Sequence, residues 1–179
     1  GSGKNGSGGS LDSTGPLGDS GLAYRMIIDH EDEDYWRNFG VHRETLIAPS
    51  LAWYGDNTQV LLAYEHREFL TPFDRGTAIN PATNHPLDIP ATRRLDEPFN
   101  NMEGRSDLYR LEVDHDLNDD WKAHFGYSWN RETYDASQVR VTAIDTNKGT
   151  LTRSMDGTHG AISTDRFTTA SLEGKVNVL

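Results

Sequence analysis

Residues Asp120 to Tyr134 read DWKAHFGYSWNRETY. Taken two at a time, Trp121, Ala123, Phe125, Tyr127 and Trp129 fall on one side. Lys122, His124, Gly126, Ser128 and Asn130 fall on the other. Successive side chains of a strand point to opposite faces, so this is a long strand with one apolar and one polar face. At about 3.3 Å per residue, Trp121 and Trp129 stand roughly 26 Å apart along the chain. A tilt of about 40° turns this into about 20 Å of height, close to the apolar band between the aromatic girdles of a membrane barrel. The same strand also suits a β-sandwich, with its apolar face against a second sheet. Taken alone, it leaves both open.

Composition narrows the function classes. The 179 residues include no cysteine and carry a formal net charge of −11. Disulfide frameworks, thiol catalysis and Cys-ligated zinc are therefore excluded. The acidic balance argues against gripping nucleic acid by its phosphates, which calls for clustered Lys and Arg. Cationic, neutral and metal-complex ligands stay open. No run of apolar residues reaches the length of a membrane helix, but barrel strands need only about 9–11 residues each, half of them polar. The opening GSGKNGSGGS has no apolar region of a signal peptide, so either a leader has been removed or this is an internal piece of a longer chain.

Around the first strand, others follow. Gly1–Ser10 reads as a flexible Gly/Ser-rich start, with Leu11–Leu17 a short strand after it. GSGKN lacks the Ser or Thr that a phosphate-binding loop would place at Asn5. Beyond the turn at Gly18–Gly21, Leu22, Tyr24, Met26 and Ile28 share one face. Ile47, Pro49, Leu51 and Trp53 form the next apolar face, and after a turn at Gly55–Thr58 come Val60, Leu62 and Tyr64. Tyr109, Leu111 and Val113 precede the turn Asn118–Asp120. VRVTAID-TNKG-TLTRSMDG, from Val139, is a hairpin too poor in apolar residues to lie anywhere but in water. Ala170, Leu172, Gly174 and Val176 mark a last strand over Arg166–Val178. The acidic loop His30–Gly40 lacks the spacing and central glycine of a calcium-binding EF-hand.

The connections sort into two classes. Turns at 18–21, 55–58 and 118–120 are tight, whereas segments at about 30–40, 72–104 and 135–165 are long, polar and irregular. In an up-and-down meander, alternate turns lie at the same end of the sheet. A sandwich has no reason to gather its long loops at one end, whereas outer-membrane barrels have short periplasmic turns and long extracellular loops. Trp53, Tyr54 and Trp121 sit beside the tight turns, where one girdle belongs. The expectation is an all-β antiparallel meander in a membrane.

Four stretches then carry a resemblance: GPLGDSGLAYRM at Gly15–Met26, AYEHREFLTPFDRGTAI at Ala63–Ile79, PLDIPATRRLDEPFNNMEGRSD at Pro86–Asp107 and LNDDWKAHFGYSW at Leu117–Trp129. In order and spacing they resemble TonB-dependent outer-membrane receptors of the ferric siderophore branch, especially those for hydroxamates such as ferrichrome and ferrioxamine. The resemblance implies about seven long strands of a 22-stranded barrel, with residues 11–179 a partial barrel that lacks the family's plug and TonB box. It also implies localisation in the bacterial outer membrane and uptake without chemistry on the cargo. The partners implied are a ferric siderophore, outer-membrane lipid and, through parts of the chain absent here, the TonB complex. Iron would travel only as the siderophore complex, and no cofactor or directly bound metal is expected.

Extending the lumen parity of each strand into the long-loop end selects Tyr35, Phe73, Arg75 and Tyr134 as candidate ligand contacts. Aromatic rings pack against an organic chelator, and arginine meets its oxygens. The plainer role for each is to hold the outer hairpins together. Lys122, Arg110, Glu112, Glu65 and Arg67 read instead as cross-strand or barrel–plug pairs. A passive porin-like channel and a soluble secreted β-sandwich binding domain remain as alternatives. An isolated piece of such a barrel, with two unpaired edges, is not expected to fold stably in water.

Overall fold

The apolar faces listed above have a use only if strand pairing places them side by side. In the computed structural model, which describes residues 5–175, pairing does so on every strand. Seven long strands form one antiparallel sheet in chain order: β1 (Gly6–Pro16), β2 (Leu22–Asp34), β3 (Val41–Tyr54), β4 (Thr58–Pro72), β7 (Asn101–Asn118), β8 (Trp121–Asp145) and β9 (Thr150–Gly174). Two residue pairs, β5 (Ile79–Asn80) and β6 (His85–Pro86), form a small separate hairpin between β4 and β7.

The register carries the argument. Tyr24 pairs with Leu51, Leu51 with Leu62, Leu62 with Leu111 and Leu111 with Tyr127. Phe125 pairs with Ala170 and Ala123 with Leu172. A slip of one residue anywhere would send a whole strand's apolar set to the other face. One face therefore carries an unbroken band with no charged side chain from Leu22 across to Leu172. Its lower rim holds Trp53 and Trp121. Its upper rim holds Tyr64, Tyr109 and Trp129, whose rings lie 4.7 and 5.3 Å apart in succession.

Among the described residues nothing covers this band. Leu62 is 51% exposed and Leu172 57%. Among the described residues only Arg37, Pro72, Arg94, Asn100, Gly126 and Ala136 are buried. A water-soluble sheet hides its apolar face against a second layer, and among the described residues there is none. A hydrocarbon solvent takes that place.

The opposite face is polar and laced with ion pairs. Arg25 meets Asp12 at 2.7 Å, Arg67 meets Glu44 at 2.7 Å and His124 meets Asp114 at 2.8 Å. Of the polar-face residues singled out from sequence, Arg67 makes a cross-strand pair, Arg110 reaches Glu112 along its own strand, and Lys122 reaches Asp116 across to β7. These pairs are exposed or half-exposed and contribute little each. Their effect is to keep the lumen side wettable.

Several boundaries differ from the sequence reading. The flexible start ends early: Gly6–Ser10 ladders onto Glu33–Asp29 as the first half of β1, because backbone pairing needs no side chain. The segment 30–40 shrinks to a six-residue loop at 35–40, since β2 runs to Asp34 and β3 begins at Val41. The segment 135–165 is not irregular; β8 and β9 continue through it as a regular hairpin turning at 146–149. Bulges at Tyr134/Ala136 and Val141/Ala143 break the simple alternation there. Each of these two strands has 25 residues and spans about 80 Å at the usual rise, far more than a membrane needs. The expected flexible residues Gly1–Lys4 and the end of the expected last strand, Val176–Val178, lie outside the described residues.

Candidate functional site

At the long-loop end, a polar plate replaces the missing apolar core. The loop 35–40 is closed on itself by the Tyr35 N–H donating to the Gly40 carbonyl at 2.9 Å. The long segment 73–100 then docks on it, the Asn38 N–H donating to the Thr92 carbonyl and the Arg94 N–H to the Asn38 side-chain oxygen. Three buried side chains pin this arrangement.

Arg37, 1% exposed, reaches both carboxylate oxygens of Asp74 at 2.9 and 3.0 Å and donates to the Arg93 carbonyl at 2.6 Å. Arg94, 4% exposed, donates to Asp96 at 2.7 Å and to the Phe39 carbonyl, with its guanidinium 4.6 Å above the Phe39 ring. Asn100, 1% exposed, uses its side-chain amide as a substitute strand residue. It donates to the Val139 carbonyl and accepts from the Val139 N–H, both at 2.8 Å, carrying the β7–β8 ladder one step past its last backbone pair. Its nitrogen also donates to Asp96. Arg153 of β9 adds a 2.6 Å ion pair to Glu97 and donates to the Leu95 carbonyl. Loop 35–40, segment 73–100 and the β8–β9 hairpin thus form one cross-linked body.

The electrostatics follow. Burial alone would push the Asp74 carboxyl up, but the Gly76 N–H and the Arg37 guanidinium outweigh it and hold it below the ordinary carboxylate range. Burial raises the Tyr35 phenol, and the neighbouring Asp74 charge adds to that. Tyr35 donates to Asp74 at 3.1 Å and lies under Arg94.

The structure brings together three of the four residues selected from sequence. Tyr35 sits inside the plate. Arg75 donates to Gln138 at 2.6 Å and stacks 5.3 Å over Phe73, so ring and cation form one unit at the plate's edge. Arg75 and Asp74 border a hollow of about 450 Å³ whose other walls are Ile79, Leu95 and Val139–Ile144. Tyr134 stands apart on β8. It pairs with Gly104, which pairs with Phe69. A side chain at Gly104 would strike the Thr133 carbonyl and come within 3.0 Å of the Phe69 ring, so glycine is what lets the strand backbone and both rings pass. Tyr134, Phe69 and Arg105 border a second hollow of about 430 Å³. Among the described residues no cluster of His, Asp or Glu is arranged to hold a metal ion.

Sequence reasoning missed Arg37, Arg94 and Asn100. Their only signal was arginine beside carboxylates inside aromatic loops, DYWRNFG and RRLDEPFNN.

Comparison with solved structures decides what kind of sheet this is. The ferric-catecholate import receptor Fiu of E. coli K12, in its open form, superposes with a TM-score of 0.80 at 18% identity, over 98% of this chain and 30% of that one. The fold is that of a segment of a TonB-dependent receptor barrel. The siderophore receptor PiuA of Acinetobacter baumannii matches this barrel segment with a TM-score of 0.78 at 17% identity, over 97% of the chain and 27% of PiuA. In sequence, the segment is 27% identical over 146 residues to the metal-pseudopaline receptor CntO of Pseudomonas aeruginosa UCBPP-PA14. In strain PAO1, the identity to CntO is 31% over 114 residues. The chain spans only 20% and 16% of the length of these two relatives. No family model matches it. A barrel segment of this kind lies in the bacterial outer membrane, which supplies the hydrocarbon that its uncovered band calls for.

Proposed function

We propose that this chain is part of an outer-membrane receptor that imports a metal ion wrapped in a small organic chelator, driven by coupling to TonB. The observation that carries the reading is the union of two features in one sheet. An uncovered charge-free band fits lipid, and directly above it stands a plate of loops fixed by buried arginines. A passive pore has no need of a fixed outer plate. A receptor does, because contacts held in place before binding cost less to organise when the ligand arrives. The barrel holds cargo by contacts alone and makes or breaks no bond in it.

The relatives are named for catecholate and pseudopaline complexes, so the hydroxamate subclass has no support from them, and the proposal is the broader one of a metal–chelator complex. Within it, Arg75, at the edge of one hollow of the long-loop end, and Tyr134, on the lumen side of β8 by its parity, are the candidate contacts. Phe73 and Tyr35 hold Arg75 and Asp74 in position.

The test uses the full-length receptor in cells starved of iron. Uptake of radiolabelled ferric catecholate, ferric hydroxamate and metal–pseudopaline complexes is measured with and without TonB. One class should enter, only with TonB, and Arg75→Ala with Tyr134→Ala should weaken its binding about tenfold, the equivalent of about 1.4 kcal/mol. Entry that is indifferent to TonB would make this a passive channel instead.

A further inference from the structure

One edge of β8 loses its partner strand early. β7 begins at Asn101, which pairs with Ser137, whereas β8 runs on to Asp145. Beyond Ser137 the edge that β7 would cover is open, while β9 still pairs with the other edge. Asn100 fills the first place on the open edge, where its side-chain amide bonds both the N–H and the C=O of Val139. In an antiparallel ladder, alternate residues send both backbone groups to opposite sides. Val141 therefore turns its N–H and C=O the same way as Val139, about 7 Å further along. The bulge that disturbs this alternation begins only after Val141. Among the described residues no hydrogen bond is formed to either group of Val141 on that side.

The open place lies on the hollow of about 450 Å³ between β8 and residues 74–81, whose apolar walls include Ile79, Pro81 and Leu95. The charges at its border are matched within the protein: Asp74 by Arg37, Asp96 by Arg94 and Arg140 by Asp156, while Arg75 donates to Gln138. A charged occupant would meet no unmatched countercharge there. An amino-acid residue, with its own N–H and C=O flanking one carbon, would meet both of the groups it needs. Further strands of a barrel would join at β1 and β9, the two ends of the sheet order, and would not reach this edge.

We propose that this edge is a binding slot for a peptide-like, uncharged arm of the chelator, taken up beside Val141 as one more strand residue. The arm's N–H donates to the Val141 carbonyl, and its carbonyl accepts from the Val141 N–H, as an added strand binds an open sheet edge. Its carbons lie against Ile79, Pro81 and Leu95. The slot continues what Asn100 begins. It rests on the receptor reading above and adds a feature of the cargo away from its metal-binding head.

The test uses the full-length receptor in detergent with two ferric complexes, a tris-catecholate and a tris-hydroxamate. Each carries an arm with one alanine residue between two amides, its alanine nitrogen either free or methylated. Whichever head binds, the free form should bind about tenfold more tightly, the worth of one hydrogen bond. Val141→Pro puts a ring carbon where the edge N–H stood, which an open edge tolerates, and should bring the free form down to the methylated one. Equal affinity of the two arms, or a difference that survives Val141→Pro, would overturn the slot and leave the receptor standing. Binding of neither head would sink the receptor reading, and the slot with it. Should the variant fail to fold, hydrogen exchange in the unaltered receptor decides. The Val141 N–H should exchange freely without cargo and about tenfold more slowly with the free-amide complex bound. Protection already present without cargo, meaning that the protein fills the slot itself, or a rate unchanged by the complex, would overturn the proposal equally.

Discussion

Leu62→Arg should cost the full-length barrel about 2–4 kcal/mol of folding stability in lipid vesicles, the range for an arginine at the midplane of a lipid-facing strand. Leu62 sits in the middle of the charge-free band, between Leu51 and Leu111 in register, and is 51% exposed on that face. In a soluble sheet, an arginine at so exposed a position would be nearly neutral. Facing hydrocarbon, it must reach up to the headgroups or drag water down. The neighbouring change Ala63→Glu gives the contrast. Ala63 points to the polar side and pairs with Arg110, where a carboxylate finds a partner. Denaturant titration of both variants after refolding into vesicles checks the prediction. A large loss for Leu62→Arg with little for Ala63→Glu is expected.

The second large effect belongs to the loop plate. Arg37→Ala removes the charge partner of Asp74, a carboxylate only 9% exposed, and leaves it buried with only the Tyr35 and Gly76 hydrogen bonds. Removing one member of a buried pair costs about 3–5 kcal/mol. Here the loss should fall on the plate and not on the barrel, because the groups Arg37 binds at Asp74, Thr77 and Arg93 all belong to the loops. Hydrogen exchange should therefore quicken across 35–40 and 73–100 while the paired strands keep their protection. The same pair sets an acid limit. Asp74 has a folded pKa below its ordinary 3.8, so its contribution is fully present above that value and is lost as the pH falls through the lower, folded one. The plate of the unaltered protein should stay closed at pH 5 and open only below about pH 3.8. Opening at pH 5 to 6 would mean that Asp74 does not hold it.

Much of the fold was legible because a strand has a short period. Every apolar face read from Leu22–Ile28, Ile47–Trp53, Val60–Tyr64, Tyr109–Val113 and Trp121–Trp129 pairs with its neighbour in the register observed. The two classes of turn gave the sheet its ends. What sequence reasoning lost were the places where pattern ceases to report structure. Gly6–Ser10 pairs through its backbone, which glycine and serine do not advertise. The upper β8–β9 hairpin was legible at its TNKG turn, but with water on both sides it has no apolar face, so its continuity with the strands below left no trace. The candidate site was read in part. Parity selected Tyr35, Phe73, Arg75 and Tyr134 but could say nothing of Arg37, Arg94 and Asn100, which act from loops where no period applies. Their contacts lie up to 56 residues away in sequence.

The central claim is that lipid covers one face of this sheet and water the other. The chain has no cysteine, so single cysteines placed in turn from Lys122 to Ser128 of the full-length receptor can each carry a spin label in a native-like bilayer. Accessibility to oxygen should peak at 123, 125 and 127, and accessibility to a water-soluble nickel complex at 122, 124, 126 and 128 wherever the lumen is wet. Oxygen accessibility that fails to alternate, or a nickel complex that reaches 123, 125 and 127, would contradict the account.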